Sequence, residues 1–494
     1  MTAVPSRHRW WPLLAVLAAQ AALSARLAWS NTAFQDEALY LRAGQLEWAH
    51  WLHHAAIPDF PAYFSGAPVL YPPVGALADS IGGLAAARIL SLCLMLAVTA
   101  LLWATASRLY GRRAAVLAAG LFATLAGTQY LGALATFDPM ALLLLALATW
   151  LGVRAAQFRT VGPRLVLLLA AGGALAIADA VKYATALFTP VVVVVVVAAA
   201  WRRHGVRTTI ASGVAVVGCW AAVAAAAVFV AGQQYWQGIT ASTLDRPAAD
   251  APVQVVLQRA YVWTGLILVC ALLGAVLAAR SKERSRLLPL LLTAAAVLVP
   301  VVQARLHTTV SLQKHVVFGA WFAAIAAGYA LARLSRVDPG RGWAPVMALP
   351  IAASTLFGSL GQASALYHVW PTSAGVIRIL REAVVSHPGS YLAEDYDVEA
   401  YYLSAQVPWQ RWDGTYYFRY AGRPSGAASY QAAIRSHYFS LVILDFGDTE
   451  AADRRIVADM TQAGGYRVLA TAGRYTIWTT GEPNQRPGVS RAGS

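Results

Sequence analysis

Long apolar runs recur through the first three quarters of this chain, and they decide what it can fold into. One helix crossing a bilayer needs about 20 predominantly apolar residues. Runs of that order lie near 10–29, 84–106, 114–133, 139–153, 165–180, 184–200, 208–231, 260–279, 287–303, 316–332 and 343–361. They predict about eleven transmembrane helices. The runs at 139–153 and 165–180 are short for a bilayer, which implies tilt or extension into the loops. Composition agrees: 58% of the residues are hydrophobic and 12% are charged, where a soluble domain carries about 25% charged residues. So little polar surface cannot cover the chain in water, so lipid must be its solvent.

Charge is unevenly placed. Residues 1–361 hold 26 Lys+Arg against 11 Asp+Glu, whereas residues 362–494 hold 12 of each. The excess sits in short loops between apolar runs, a topology signal and not a nucleic-acid footprint. With a cytoplasmic N-terminus, the inner segments collect 18 basic residues, among them Arg108, Arg154, Arg202 and Arg203. The outer loops before residue 362 hold Arg42, Lys182, Arg246, Arg305 and Lys314, with Arg259 at a boundary. An odd number of spans then puts the C-terminal part outside. The first run has the basic start and apolar core of a signal peptide; the consistency of the later loops favours a retained anchor. Three lysines against 35 arginines, with abundant alanine, suggest a GC-rich bacterial genome and hence a bacterial plasma membrane. Cys93, Cys219 and Cys270 all fall inside apolar runs without metal-ligand spacing.

The chain thus divides into a transmembrane domain over 1–361, an extracytoplasmic α/β domain over 362–480, and a Gly/Pro/Ser-rich tail over 481–494 expected to be disordered. The longest outer loop of the membrane part is 30–83. Its apolar positions Leu39, Ala43, Leu46 and 49–51 recur at helical spacing and predict an amphipathic surface helix. In the C-terminal part, helix signals at 373–385, 430–436 and 451–463 alternate with strand signals at 391–394, 439–445, 466–470 and 475–479. That alternation reads as a small α/β fold.

Four clusters carry possible chemistry. Asp36 and Glu37 adjoin in Phe34-Gln35-Asp36-Glu37-Ala38-Leu39-Tyr40 just outside the first span. Such a pair either supplies a base towards a hydroxyl or caps the surface helix. Asp138 precedes Pro139, as a membrane-edge carboxylate or as a helix cap. Lys182, in Asp179-Ala180-Val181-Lys182-Tyr183, sits on the side that basic residues avoid; it calls for a counter-charge, with Asp179 as the local candidate. Arg305, His307, Lys314 and His315 gather on the same side, as interface anchors or as ligands to a phosphate.

These pieces resemble the GT-C membrane glycosyltransferases, in particular the protein O-mannosyltransferase and aminoarabinose-transferase-like group. The matching residues are Phe34–Tyr40, Tyr71-Pro72-Pro73, Arg88-Ile89-Leu90-Ser91, Phe137-Asp138-Pro139 and Lys182-Tyr183. The resemblance spans residues 10–361 and implies a polyprenyl-phosphate sugar as donor. It implies Asp36 as the base or positioning acid for the acceptor, with Glu37 and Asp138 organising the site. Lys182, Arg305, Lys314 and His315 would hold the donor phosphate. Some relatives bind a divalent metal, Mg or Mn, through these acids and others do not, so Asp36 and Asp138 are the candidate ligands. The acceptor is a glycan, a lipid or a protein, and the bilayer is an obligatory partner. The α/β domain departs from the β-trefoil module of the eukaryotic mannosyltransferases, which puts a protein acceptor in question. A lipid or glycan transporter is the rival reading, and it expects charges near mid-membrane and broken helices. A scaffold is the third.

Overall fold

The computed structural model describes residues 10–281, 286–335, 357–394, 396–416, 418–447 and 449–480. It falls into two compact units: residues 1–30 with 43–367, and residues 31–42 with 368–494. Residues 31–42 of the outer loop thus group with the C-terminal part and not with the membrane helices.

The first unit is helical. Its elements are α1 (Trp11–Ala28), the second half of α2 (Gln35–His53), α3 (Tyr71–Tyr110), α4 (Arg112–Thr124), α5 (Ala126–Leu131), α6 (Asp138–Ala155), α7 (Val161–Val181), α8 (Thr189–Trp201), α9 (Val206–Ala231), α10 (Gln233–Ser242), α11 (Val253–Ala279), α12 (Leu288–Arg305) and α13 (Leu312–Leu334). Among the described residues, nine helices are long and apolar enough to cross a membrane. The expected span at 343–361 lies mostly outside the described residues.

Two expected spans take less regular forms. The run at 114–133 is broken at Leu125, whose extended backbone separates α4 from α5. The run at 84–106 belongs to a helical stretch of 40 residues with a kink at Gly82 and Gly83. Gly83 has φ +65°, a conformation that costs a glycine little.

Helix α13 is the centre of this unit, with 94% of its most apolar window buried. Small residues allow the approach: a Cβ on Gly328 would lie 2.3 Å from the Ala114 carbonyl oxygen. Lipid tails give apolar side chains no reason to leave them, so membrane helices hold together through such close packing. Helix α9 is the opposite case, with 6% of its window buried.

The second unit is an α/β domain of five strands in the order β2-β1-β3-β5-β4. Strands β1 (Ser390–Ala393), β2 (Trp412–Gly414) and β3 (Phe439–Leu444) run parallel; β5 (Tyr475–Thr480) is antiparallel to β3 and to β4 (Tyr466–Ala472). The pleat sends alternate side chains to opposite faces. Tyr391, Leu441, Ile443 and Ile477 join one core with Val376 and Leu380 of α14 (Ala374–Ser386). Leu392, Val442 and Leu444 join the other with Ile434 of α16 (Ala427–Arg435) and Ile456 of α17 (Glu450–Ala463). Every helix and strand expected in this part forms near its expected bounds. Strand β2 and the short helix α15 (Tyr396–Tyr402) lacked a periodic signal and are additional.

Candidate active site

In the first unit the sequence candidates Asp138 and Lys182 meet. Asp138 opens α6 immediately before Pro139 and is fully buried. Lys182 follows the last residue of α7 and is 3% exposed. Its ammonium donates a hydrogen bond of 2.5 Å to Asp138 Oδ1. The Thr136 hydroxyl donates to Asp138 Oδ2 at 3.2 Å. The ammonium also stands 4.7 Å from the ring centre of Phe137, a cation–π contact. Lys314 and His315, in the first turn of α13, lie within electrostatic reach of Asp138.

Asp179 does not neutralise Lys182. Its carboxylate accepts from the hydroxyls of Thr185 and Thr189, at 2.7 and 2.9 Å, and from the Trp220 indole N–H at 2.9 Å. Three neutral donors satisfy it, and Lys182 is left to the acid 44 residues earlier. Backbone contacts fix the turn that carries Lys182: Tyr183 N–H donates to the Ser65 carbonyl at 2.9 Å and Ala67 N–H to the Ala180 carbonyl at 2.8 Å. Gly66 lies between these partners, and a Cβ there would sit 2.0 Å from the Val181 carbonyl oxygen.

Beside this pair is a cavity of about 1000 Å³ walled by α7, α9, α10 and α12. Its lining is mainly Ala, Val, Leu and Ile, with Tyr183, Gln303 and His315 among its few polar groups. Gln303 Nε2 lies 3.5 Å from His315 Nδ1, and the charge of Arg246, which also lines the cavity, acts on His315. Tyr235 lines it from α10; burial and the nearby Glu47 carboxylate push its phenol up to about 12, so it stays neutral. Arg305 is exposed at the end of α12 and is not among the lining residues. Arg246 and Gln303 were not singled out from the sequence. Arg246 carried the only signal, a basic residue on the side that basic residues avoid.

Asp36 and Glu37 belong to the second unit. Glu37 is fully buried, and its Oε2 accepts the Phe34 backbone N–H at 2.9 Å. This is half of a capping box at the start of α2. Asp36 is half-buried in the same first turn. The segment before it is pinned within this unit: Tyr402 OH accepts the Ala33 N–H at 2.8 Å, and Trp370 Nε1 donates to the Thr32 carbonyl at 3.1 Å. Phe34 packs on Trp370 with ring centres 5.0 Å apart.

The donor set at Asp138 does not fit a divalent metal. Both its oxygens are engaged, one by an ammonium group. Among the described residues no group of three His, Cys, Asp or Glu side chains could hold an ion.

Residues 76–229 match the family model of the dolichyl-phosphate-mannose-protein mannosyltransferases. No curated protein matches the chain. Among solved structures, ArnT from Cupriavidus metallidurans bound to undecaprenyl phosphate matches with a TM-score of 0.62 at 13% identity, over 95% of this chain and 98% of that one. The oligosaccharyltransferase of Archaeoglobus fulgidus in its apo form matches with a TM-score of 0.60 at 14% identity, over 93% of this chain and 73% of that one. The same organism's oligosaccharyltransferase AglB, solved with an inhibitory peptide and a dolichol-phosphate, gives a TM-score of 0.57 at 12% identity, over 97% and 75%. The chain is therefore a multi-pass membrane protein of the GT-C fold.

Proposed function

We propose that this protein is a glycosyltransferase that moves a sugar from a polyprenyl-phosphate donor to an acceptor hydroxyl on the extracytoplasmic face. The observation that carries this reading is the apolar cavity of about 1000 Å³ with His315 and Arg246 in its lining, next to the buried Lys182–Asp138 pair. An isoprenoid chain is apolar along its length and anionic at its end. A cavity in the membrane unit with the Arg246 guanidinium in a largely apolar wall suits both parts. The solved relatives that hold undecaprenyl phosphate and dolichol-phosphate support the same donor class.

In the reaction, the acceptor oxygen forms a bond to the anomeric carbon while the bond from that carbon to the phosphate oxygen breaks. The acceptor proton passes to a base, and the polyprenyl phosphate leaves as an anion. Asp36 is the proposed base, since its neighbour Glu37 is already committed to the Phe34 N–H. Arg246, with Lys182 and Lys314 nearby, supplies the positive potential that stabilises the leaving phosphate, and His315 offers a ring N–H to it. Lys182 keeps its charge at low solvent exposure because Asp138 is its counter-ion. Hexosyl and pentosyl donors both fit this scheme. A glycan, lipid or protein hydroxyl serves equally as acceptor. No divalent metal is assigned at Asp138.

The test is incubation of the purified chain with a panel of polyprenyl-phosphate sugars and measurement of polyprenyl phosphate released. Release with at least one donor, dependent on acceptor, is expected. No release with any donor, together with movement of the lipid across a vesicle bilayer, would replace transfer with transport.

A further inference from the structure

The opposite ends of three membrane helices form a second, smaller cavity. It has a volume of about 350 Å³ and is lined by Arg108 and Leu109 at the end of α3, Val153, Ala156 and Gln157 at and just beyond the end of α6, and Ala199, Arg202 and Arg203 around the end of α8. Its character is the reverse of the large one: cationic and lacking any acid in its lining. The surrounding stretches 104–113, 150–164 and 199–207 contain nine arginines and no Asp or Glu.

The positive-inside tendency accounts for basic residues on one side of a membrane, but it leaves them in water. Three of these arginines, Arg108, Arg202 and Arg203, converge on one hollow. Arg108 donates from Nη1 to the Ala104 carbonyl at 2.9 Å and covers the Trp150 ring, with its carbon centre 5.5 Å from the ring centre. Its Nε is buried without a hydrogen-bond partner among the described residues. Arg154 lies close enough for like-charge repulsion with Arg108, and its Nη1 donates to Gln157 Oε1 at 2.5 Å. Arg202 donates to the Leu109 carbonyl at 3.0 Å. Held guanidinium groups with spare N–H donors and no carboxylate are arranged for a tetrahedral oxyanion, which Arg binds through paired hydrogen bonds. Trp201, 44% exposed next to Arg202, marks the depth of a membrane–water interface.

We propose that this hollow binds a phosphate group, carried by an anionic phospholipid of the leaflet on the arginine-rich side or by a free phosphate compound. The bound phosphate neutralises Arg108, Arg202 and Arg203 together and ties the ends of α3, α6 and α8. The site is separate from the large cavity, with which it shares no lining residue.

The test uses the full chain in nanodiscs of zwitterionic phosphatidylcholine, read by thermal unfolding. One arm replaces part of the lipid with phosphatidylglycerol; the other adds inorganic pyrophosphate to the zwitterionic discs. A rise of several degrees in the first arm identifies a lipid headgroup, and a rise in the second alone identifies a soluble anion. In either case Arg203→Gln, a change at the exposed rim, removes the rise. Arg159→Gln, an exposed arginine outside the hollow, retains it. No rise in either arm, or equal loss in Arg159→Gln and Arg203→Gln, overturns the proposal.

Discussion

Lys182 Nζ and Asp138 Oδ1 stand 2.5 Å apart, with the two side chains 4% and 0% exposed. Removing one member of a buried pair strands the other and typically costs about 3–5 kcal/mol, whereas replacing both by apolar groups of similar volume is often neutral. Lys182→Ala should therefore lower the unfolding temperature markedly, and Lys182→Met with Asp138→Leu should restore most of it. The double variant should stay inactive, because it lacks the cation beside the cavity. A double-mutant cycle on thermal stability, with turnover measured alongside, checks both statements.

Gly66 is the backbone contact behind Lys182. A Cβ there would meet the Val181 carbonyl at 2.0 Å, and backbone cannot swing aside as a side chain can. Gly66→Ala should cost about 1–3 kcal/mol of stability, the range for overpacking. It should also reduce turnover more than its stability loss explains, since the displaced turn carries Lys182. Turnover at matched folded fraction is the measurement.

The sequence made the membrane helices legible because apolar length is a one-dimensional property. Runs at 165–180 and 208–231 became α7 and α9 with little change of bounds. The α/β domain was legible for a similar reason, since its strands and helices have distinct periods. The Lys182–Asp138 pair was half legible. A lysine on the disfavoured side demanded an acid, but adjacency pointed to Asp179, and only the packing of α6 against α7 brings in Asp138. Arg246 had only its basic charge on the disfavoured side as a signal and Gln303 had none, because a cavity wall is assembled from distant segments. The commitment of Glu37 to the Phe34 N–H could have been read from its place three residues into the helix.

The α/β domain carries a pH dependence of its own. Glu394 follows β1 and Asp445 follows β3, and both accept the Gly447 N–H at 3.1 Å. Glu394 also accepts the Thr449 N–H at 2.9 Å, Thr449 Oγ1 donates to Asp453 at 3.1 Å, and Arg474 lies 3.7 Å from Asp445. Burial and the neighbouring Glu394 carboxylate push Asp453 up to about 8. Burial would raise Glu394 too, but hydrogen bonds from Asp445, Asp453 and the backbone hold it down to about 2. A raised carboxyl pKa contributes stability at low pH that is lost as pH rises through the folded-state value. Thermal stability of this domain in the full chain should therefore fall progressively between pH about 4, the ordinary carboxyl range, and pH about 8, and level off above it. Asp453→Asn should flatten that fall. Hydrogen exchange over 390–394 and 445–460 at the two pH values follows it.

Arg246 and His315 should act on donor binding. A hydrogen bond to a charged group is worth about 1.5–3 kcal/mol, so each alanine variant should raise the donor KM by roughly 10- to 100-fold with a smaller change in kcat. Arg305→Ala, exposed and outside the cavity lining, should leave the donor KM within about twofold of wild type. Donor-saturation kinetics on the three variants separates these outcomes.

The central claim is sugar transfer with Asp36 as the base. Asn keeps the shape of Asp but cannot take a proton, and losing a positioned base costs about 10²–10⁴-fold in rate. The most direct measurement is turnover of a polyprenyl-phosphate sugar by Asp36→Asn, at matched thermal stability and with donor affinity measured in parallel. The account predicts near-complete loss of turnover with donor binding retained. Wild-type turnover in that variant would contradict it.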